Sequence, residues 1–377
     1  MKISLLSENL QKKILFVNHA ISSRSQLPIL LNFLIDAIDG KLVVSATDLE
    51  IGIITEVPAK TEEEGKTTVS AKTFTELVAT IPLGKITLQT TTEGLRLTGE
   101  KTEAVFQTMT PEEFPKLYGE KGKQIMVLGK EAVGGDFSKV VFAANPDSER
   151  PALSGVLIKE EKNGFLLVAT DGYRLSLKKQ ALQRVRREKI TEPVSMLVPS
   201  RVIRELIQMG KDAEENDVRV YASAENNQIV FSQGDITLVG RLIEAEFPNY
   251  EKIIPTDFST KTIFEKDTLQ KAIKSGYVFA RQTAGIIKLA INKDKIIVSA
   301  NAPSVGKNII EVEAKTTGEE NEIAFNARYL LDFLGSVSGE TISFEMTGPL
   351  NPGVFKELED PFFMHLVMPI RVQQESA

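Results

Sequence analysis

The run Leu42-Val43-Val44-Ser45-Ala46-Thr47-Asp48 is apolar, ends in small polar residues, and occurs three times in the chain. It recurs as Leu166-Leu167-Val168-Ala169-Thr170-Asp171 and as Ile296-Ile297-Val298-Ser299-Ala300-Asn301. The alanines of successive copies are 123 and 131 residues apart. This period is about the length of a domain, so the sequence predicts three similar units.

Two further features recur with the same period. A strand pattern leads into a helix pattern at Ser70, Ser200 and Asn326, whose side-chain oxygens can cap free N–H groups. An amphipathic segment opens each unit, at residues 8–22, 130–145 and 267–281. The middle segment is interrupted by Gly134-Gly135 and is the weakest helix of the set.

Alternating apolar and polar residues between these markers predict strands. These strands form one meander in each unit. In the first meander they start at Ile86, Leu95 and Val105, in the second at Val218, Gln228 and Ile236, and in the third at Ile342 and Met364. Each unit then consists of a helix, strands, a second helix and more strands, which predicts α+β domains. Candidate linkers at residues 118–124 and 250–256 place the domains at residues 1–121, 125–250 and 251–377.

The composition is that of an ordinary globular protein, with 377 residues, 42% of them hydrophobic, and a net charge of −6. This balance disfavours a uniformly basic nucleic-acid binder but is compatible with a local basic surface. Cysteine is absent, which excludes disulfides and Cys-ligated zinc. No uncharged apolar run reaches about 18 residues, so we expect a soluble cytoplasmic protein with no membrane contact.

Residues able to carry catalysis are sparse. The two histidines, His19 and His365, lie in different units without neighbouring metal ligands. We therefore interpret His19 as a solvated helix residue and His365 as a residue of an alternating strand. Asp48 and Asp171 occupy equivalent places in separate units, which favours strand-end turns over a converging carboxylate pair. The chain has no phosphate-binding glycine loop and no nucleophile elbow. We therefore expect no enzymatic activity, no metal and no cofactor.

The charges are unevenly distributed between predicted helices and the rest. The six predicted helical segments carry +5, which leaves −11 elsewhere in a chain of net charge −6. A mildly basic helical surface would suit non-specific contact with a phosphate backbone. The alternative is that these helices carry ordinary solvated lysine and arginine.

The end of the chain is strongly apolar from Phe362 to Val372. A buried last strand accounts for its first half. Pro369 ends that strand and leaves Ile370 without a core role, so the apolar edge is alternatively a groove that docks peptides.

Five motifs in order resemble the family of bacterial DNA polymerase III beta subunits, the replicative sliding clamps. They are Ser23-Arg24-Ser25-Gln26-Leu27-Pro28-Ile29-Leu30, Ala46-Thr47-Asp48-Leu49-Glu50, Val168-Ala169-Thr170-Asp171-Gly172-Tyr173-Arg174-Leu175, Phe247-Pro248-Asn249-Tyr250 and Val367-Met368-Pro369-Ile370-Arg371. The resemblance runs from residue 1 to residue 372 and includes all three domains.

The resemblance implies the fold class of the family: three repeated α+β clamp domains in each chain. Two chains, a homodimer, would close head to tail into a ring of six domains, with helices lining a central hole and antiparallel sheets outside. Duplex DNA would pass through the hole without sequence readout, and weak contacts would permit sliding. The residues that match the family's DNA-binding positions are Arg24, Lys72 and Arg201.

The resemblance also implies a docking pocket between domains two and three. It would take short peptides of the DNA polymerase III alpha subunit, the clamp loader and other proteins with a clamp-binding motif. The matching residues are Leu153, Thr170, Gly172, Tyr173, Arg174, Leu175, Pro248, Ile253, Leu366, Val367, Met368, Pro369, Ile370 and Arg371. Apolar members would bury Leu or Phe anchors, and Arg174 and Arg371 would frame the polar rim. At the ring seam, Ala104 and Phe106 would meet Val278 and Phe279 of the second chain.

Two other interpretations are compatible with the residues alone. An enzyme of repeated domains would use Asp48 or Asp171, but one of its units should depart from the repeat with extra polar residues. A repeat scaffold that binds proteins and never DNA would tolerate the loss of Arg24, Lys72 and Arg201.

Overall fold

The computed structural model describes residues 1–22, 25, 27–117, 121–146, 149–162, 164–181, 185–186, 195–212, 215–223 and 227–371. The side chains of residues 181, 185, 186 and 212 are outside this description. Helices and strands alternate in the same order in each third of the chain.

The first third forms β1 (Lys2–Leu6), α1 (Ser7–Val17), β2 (Asn32–Ile38), β3 (Lys41–Thr47), β4 (Ile51–Pro58), β5 (Lys60–Glu63), β6 (Gly65–Ser70), α2 (Ala71–Thr80), β7 (Lys85–Thr91), β8 (Gly94–Thr98) and β9 (Glu103–Phe106). The second forms β10 (Lys123–Gly129), α3 (Ser138–Val141), β11 (Gly155–Glu161), β12 (Gly164–Thr170), β13 (Arg174–Ala181), β14 (Val185–Arg186), β15 (Ser195–Pro199), α4 (Ser200–Asp212), β16 (Asp217–Ser223), β17 (Gln228–Gln233) and β18 (Ile236–Arg241). The last forms β19 (Thr260–Glu265), α5 (Lys266–Ala280), β20 (Ile286–Ile291), β21 (Lys295–Ala302), β22 (Gly306–Gly318), β23 (Asn321–Asn326), α6 (Ala327–Ser336), β24 (Thr341–Met346), β25 (Gly353–Glu357) and β26 (Phe363–Val367).

The structure confirms the predicted order of helices and strands in the three repeats, and it adds one strand to each repeat. Each repeat begins with a strand directly before its first helix, namely β1, β10 and β19. These strands were missed because they lie directly before the predicted helical segments and outside the meanders that the alternating residues indicated. Among the described residues, no helix is both long and apolar enough to cross a bilayer.

The chain divides into two compact units. The first contains Met1–Gly134, Arg184–Glu192 and Arg201–Leu242, with a five-stranded sheet (β5-β1-β7-β8-β9) and a nine-stranded sheet (β14-β10-β16-β17-β18-β4-β3-β2-β6). The second contains Gly135–Gln183, Pro193–Ser200 and Ile243–Ala377, with one twelve-stranded sheet (β15-β11-β12-β13-β26-β25-β24-β19-β22-β21-β20-β23). Neighbouring strands pair antiparallel, including those that join successive repeats.

The helices pack their apolar stripes on these sheets. Leu10, Ile14 and Val17 of α1 are buried, as are Leu269 and Ile273 of α5, at the three- and four-residue spacings that predicted the helices. Each such side chain stabilises the fold by about 1.5–3 kcal/mol when it is fully buried.

The segment predicted as a helix at residues 130–145 is not a regular helix. A π-helical turn spans Ala132–Asp136, and α3 that follows has only four residues. Gly134 and Gly135 are exposed within that turn, with nothing within 4 Å of a Cβ placed on either. Because glycine costs a helix about 1 kcal/mol relative to alanine and offers no side chain to pack, the regular helix is lost here.

The predicted helix caps have mixed outcomes. Asn326 accepts a hydrogen bond from the Arg328 N–H at 3.0 Å, which confirms it as the cap of α6. Ser70 makes no side-chain cap bond, so that prediction is wrong. Its hydroxyl lies 3.4 Å from the Thr73 hydroxyl instead.

Candidate functional site

The two Thr-Asp turns are built alike. Thr47 and Thr170 each donate a hydrogen bond to the carbonyl four residues further on, at 2.8 and 2.6 Å. Asp48 Oδ1 accepts from the N–H groups two and three residues on, at 3.1 and 2.9 Å. Asp171 Oδ1 does the same at 2.9 and 3.0 Å. The interpretation of both aspartates as turn residues is confirmed.

The second oxygen of each aspartate accepts from an arginine. Asp48 Oδ2 forms an ion pair with Arg201 at the start of α4, and Arg201 also donates to the His19 carbonyl at 3.1 Å. Asp171 Oδ2 accepts from Arg174 Nε at 3.0 Å. Both guanidinium groups are therefore bound to acceptors of the protein itself.

Two strand pairs join successive repeats in one register. In the first unit, β18 pairs with β4 and places Gly240 opposite Ile51. In the second unit, β26 pairs with β13 and places Val367 opposite Arg174. Ile51 and Arg174 both stand three residues after the aspartate of their turn. The last strand of a repeat thus extends the sheet of the preceding repeat in the same way twice.

The chain also contains the two strands of a third such pair, one in its first repeat and one in its last, but these two strands do not pair with each other. β22 pairs with β21 through residues 306–313 and with β19 through residues 314–318. Within the described ranges, no strand pairs with the second edge of residues 306–313. In the first unit, β9 is the last strand of its repeat and the edge strand of its sheet. In the part of the chain that the structure describes, one copy of each strand partner is therefore uncovered.

The residues predicted at the ring seam lie at these two edges. They are Ala104 and Phe106 on β9, and Val278 and Phe279 near the end of α5. Phe106 is only 7% exposed because its ring packs edge-on against Phe74 at 5.4 Å. Val105 is 41% exposed and Val278 is 52% exposed. A Cβ on Gly306 would lie 3.9 Å from the Phe279 ring, which places the end of α5 beside the free edge of β22.

The structure places much of the predicted docking set at one end of the β13–β26 pair. The buried members are Thr170, Arg174, Leu175, Leu366 and Val367, and the half-buried or exposed members are Leu153, Gly172, Tyr173, Pro248, Ile253, Met368, Pro369, Ile370 and Arg371. Leu175 and Leu366 form an apolar cluster with Tyr250, and Met368 packs against it. A cleft of about 480 Å³ borders the cluster and is lined in part by Pro248 and Tyr250.

The residues after β26 stay tied to the fold although the strand has ended. The Met368 N–H donates to the Tyr173 carbonyl at 2.8 Å, and the Ile370 N–H donates to the Ala324 carbonyl at 2.8 Å. Pro369 lies between them and is half-buried. Ile370, which had no evident core role in the sequence, is thus held to the fold through its backbone.

The predicted DNA-binding residues have different environments. Lys72 is exposed in the first turn of α2, and Arg201 is held by Asp48. Arg24 lies outside the described residues. Lys271 and Lys274, which are exposed on α5 opposite its buried stripe, are further basic residues that were not predicted to bind DNA. Their three-residue spacing on one helix face was the available signal.

Family models for three successive domains of the DNA polymerase III beta subunit match the chain. The N-terminal domain matches residues 1–118, the central domain residues 130–249 and the C-terminal domain residues 251–371. The chain belongs to the family of DNA polymerase III beta subunits. It is a sliding clamp with three α+β clamp domains and is a non-catalytic subunit of the polymerase.

Relatives and solved structures agree with this assignment of the clamp. It is 28% identical to the beta sliding clamp of Synechococcus elongatus over 99% of this chain and 100% of that protein. Its fold matches the DNA polymerase III beta subunit of Thermotoga maritima with a TM-score of 0.89 and 27% identity, over 99% of this chain and 100% of that one. It matches the Bacillus subtilis sliding clamp with a TM-score of 0.92, over 99% of this chain and 100% of that one, where 24% identity shows the fold alone.

The two histidines of the clamp both serve the fold. His19 Nδ1 lies 2.8 Å from Glu205 Oε2. His365 is fully buried on β26, with Nδ1 2.7 Å from the Ser176 hydroxyl. Burial, and secondarily the nearby Arg174 charge, lowers the pKa of His365 well below its usual value, so the ring is neutral. Across the described parts of the chain, no group of three His, Cys, Asp or Glu side chains is placed to hold a metal.

A buried ionic cluster lies at the other end of the β13–β26 pair. Lys139 Nζ lies 2.7 Å from Asp360 Oδ2 and also contacts Glu357, and Lys178 Nζ lies 2.6 Å from Asp360 Oδ1. Burial alone would raise the pKa of Asp360, but hydrogen bonds from the two lysines outweigh it and lower that pKa. Burial likewise opposes the charge of Lys139, and its two carboxylate partners outweigh that cost and raise its pKa.

The substitution D360N should destabilise the clamp by about 2 kcal/mol. Removing one partner of a buried ion pair usually destabilises a protein by about 3–5 kcal/mol. The expected loss is smaller here because Glu357 and Asp136 still face the lysines. Since the folded pKa of Asp360 is lowered, its stabilisation is present above its unfolded pKa near about 4 and is lost as the pH falls through the folded value. The melting temperatures of D360N and of the unmodified clamp, measured from neutral to acidic pH, should therefore converge at low pH.

The matched control for D360N is E322Q, which removes a carboxylate from an exposed pair with Lys288 at 2.6 Å. Exposed pairs contribute about 0–1 kcal/mol, so E322Q should melt close to the unmodified clamp. Equal melting temperatures for D360N and E322Q at neutral pH would contradict a stabilising role of the cluster.

Proposed function

We propose that this clamp works as a homodimeric ring of six domains that encircles duplex DNA without reading its sequence and tethers the polymerase to it. The domains would be residues 1–121, 125–250 and 251–377. The observation that carries the proposal is the strand pairing that occurs twice in the chain and is left half-built at β9 and β22. Such a head-to-tail interface closes into a ring when the rotation between copies permits it.

The repeated register predicts which residues meet in a second copy. Counting through the paired strands of each repeat matches Ala104 of β9 with Leu238 of β18 and His365 of β26. Counting in the same way along the other strands brings Val105 opposite Lys307 of the second chain. Light scattering should then give a mass near twice 41.6 kDa. A monomer at every concentration would argue against the ring.

DNA contact is supported by exposed lysines on two helices. In the triple variant K72E/K271E/K274E, the half-life of the ring on circular DNA should fall at least about tenfold. Its logarithm should also depend less steeply on the logarithm of the salt concentration, because each lost phosphate contact lowers that slope by about 1. The measurement is the half-life of the loaded ring on a nicked plasmid at several salt concentrations. Arg201 is left unchanged because its removal would also break the pair with Asp48.

A matched control reverses three exposed lysines on strands and turns, K60E/K101E/K162E. It has the same net charge as the helix variant, so a general charge effect would slow both. The proposal requires the control to be retained like the unmodified clamp. Equal loss in the two triple variants would favour a scaffold without a defined DNA surface.

Peptide docking is the second part of the proposed role. The apolar cluster around Leu175, Leu366 and Tyr250, with Pro248 and Ile253 exposed beside it, fits short segments with Leu or Phe anchors. The polymerase III alpha subunit, the clamp loader and other proteins with a clamp-binding motif would bind there in turn. This role places the clamp in the cytoplasm with the replicating DNA.

A further inference from the structure

Arg174 is the docking residue whose surroundings differ most from those of a rim cation. Its side chain is 10% exposed. Its Nε donates to Asp171 Oδ2 at 3.0 Å, and its Nη1 donates to Asp332 Oδ2 at 2.6 Å. The guanidinium lies 4.6 Å from the centre of the Tyr329 ring and 5.5 Å from that of Phe142. Its charge is thus bound by two carboxylates and two aromatic faces of the clamp itself.

These partners come from two successive repeats. Asp171 belongs to the turn before β13, whereas Tyr329 and Asp332 lie on α6. In the first unit, Ile51 holds the equivalent strand position, and the turn aspartate is reached by Arg201 from α4 instead. An arginine that neutralises the turn aspartate is therefore common to both places, although it comes from different elements. A role in holding the strand start explains this recurrence, and a role in binding a ligand does not.

The position of Arg174 couples it to the docking surface. It opens β13 directly after Tyr173, which is 60% exposed and whose carbonyl accepts from the Met368 N–H. Movement of the β13 start would shift both this bond and the neighbouring Leu175. Arg371, in contrast, is exposed at the edge of the same surface.

We propose that Arg174 and Asp332 form a clasp that positions the start of β13 and so shapes the docking pocket, and that peptides meet Arg371 rather than Arg174. Arg174 is then a positioning residue, and Asp332, which is outside the docking set, controls peptide affinity through it. This inference rests on the proposed docking role of the clamp.

The test is a double-mutant cycle on peptide binding. The probe is a fluorescein-labelled peptide with the clamp-binding motif of the polymerase III alpha subunit, titrated with D332N, R174M, the double variant and R371M. D332N and R174M should each weaken binding about tenfold, and the double variant should be no weaker than R174M alone. D332E should restore part of the affinity, and melting temperatures should identify any variant that fails to fold. E322Q is the matched control because it also converts one exposed carboxylate to an amide.

A second peptide separates positioning from direct contact. In it, each acidic residue is replaced by the corresponding amide. If Arg174 contacted a peptide carboxylate, R174M would lose its effect on this peptide and D332N would leave affinity unchanged or improve it, which would overturn the clasp. The clasp predicts equal losses for both peptides in R174M, and a smaller loss for the amide peptide only in R371M. If the unmodified clamp binds neither peptide, the docking role itself fails.

Discussion

V105K should raise the dissociation constant of the clamp dimer roughly a thousandfold, as measured by sedimentation over a range of concentrations. Its physical basis is the repeated register, which in the proposed ring would bring Val105 opposite Lys307 of the second chain. Like charges facing each other across an interface cost on the order of 2 kcal/mol, and the proposed ring would contain two such seams. A lysine also discourages pairing at the edge of a sheet. Val105 is 41% exposed in the single chain, so the substitution should leave the fold intact.

The second substitution K307E tests the register itself. It converts the facing pair to opposite charges, so V105K/K307E should dimerise again within about tenfold of the unmodified clamp. The control K295E lies on the neighbouring strand, β21, and should not rescue V105K. Rescue by K295E, or a V105K protein that remains dimeric, would show that β9 and β22 do not meet in this register.

Most strands and helices of this clamp were predictable because their signals are local. Leu10, Ile14 and Val17 repeat with helical spacing, and the strands alternate with a period of two, so burial of one face follows from a short window. The segment at residues 130–145 failed because its apolar spacing is helical while Gly134 and Gly135 favour a turn. Only the packing around it decides between the two tendencies.

In the candidate site too, the residues with local partners were predictable and those with distant partners were not. The roles of Asp48 and Asp171 were predictable because an aspartate that accepts from the next N–H groups needs only its neighbours. Asp332 and Asp360 were not, because Asp332 bonds to a partner 158 residues away and Asp360 to one 221 residues away. No sequence window contains such a pair, and only the strand register brings its members together.

Deletion of residues 368–377 should lower affinity for clamp-binding peptides at least about a hundredfold, because it removes one wall of the proposed pocket at once. Met368 packs on the apolar cluster, and the residues up to Arg371 continue along the docking surface. The ladder between β13 and β26 ends at Val367, so the buried strand and its pairing are retained. The melting temperature and the dimer mass should therefore change little, since both depend on residues that the deletion leaves in place.

The matched control removes only residues 372–377, which lie beyond the docking set. It should bind the peptide like the full chain, and the pair of truncations then assigns the loss to residues 368–371. Titration of the labelled peptide with both truncations gives the comparison directly. If the longer deletion keeps its affinity, the pocket must be built elsewhere on the clamp, and if the shorter one loses it, the last residues themselves take part in docking. Loss of peptide binding with an unchanged dimer would separate the two halves of the proposed function, because ring closure would then depend on β9 and β22 and docking on the end of β26.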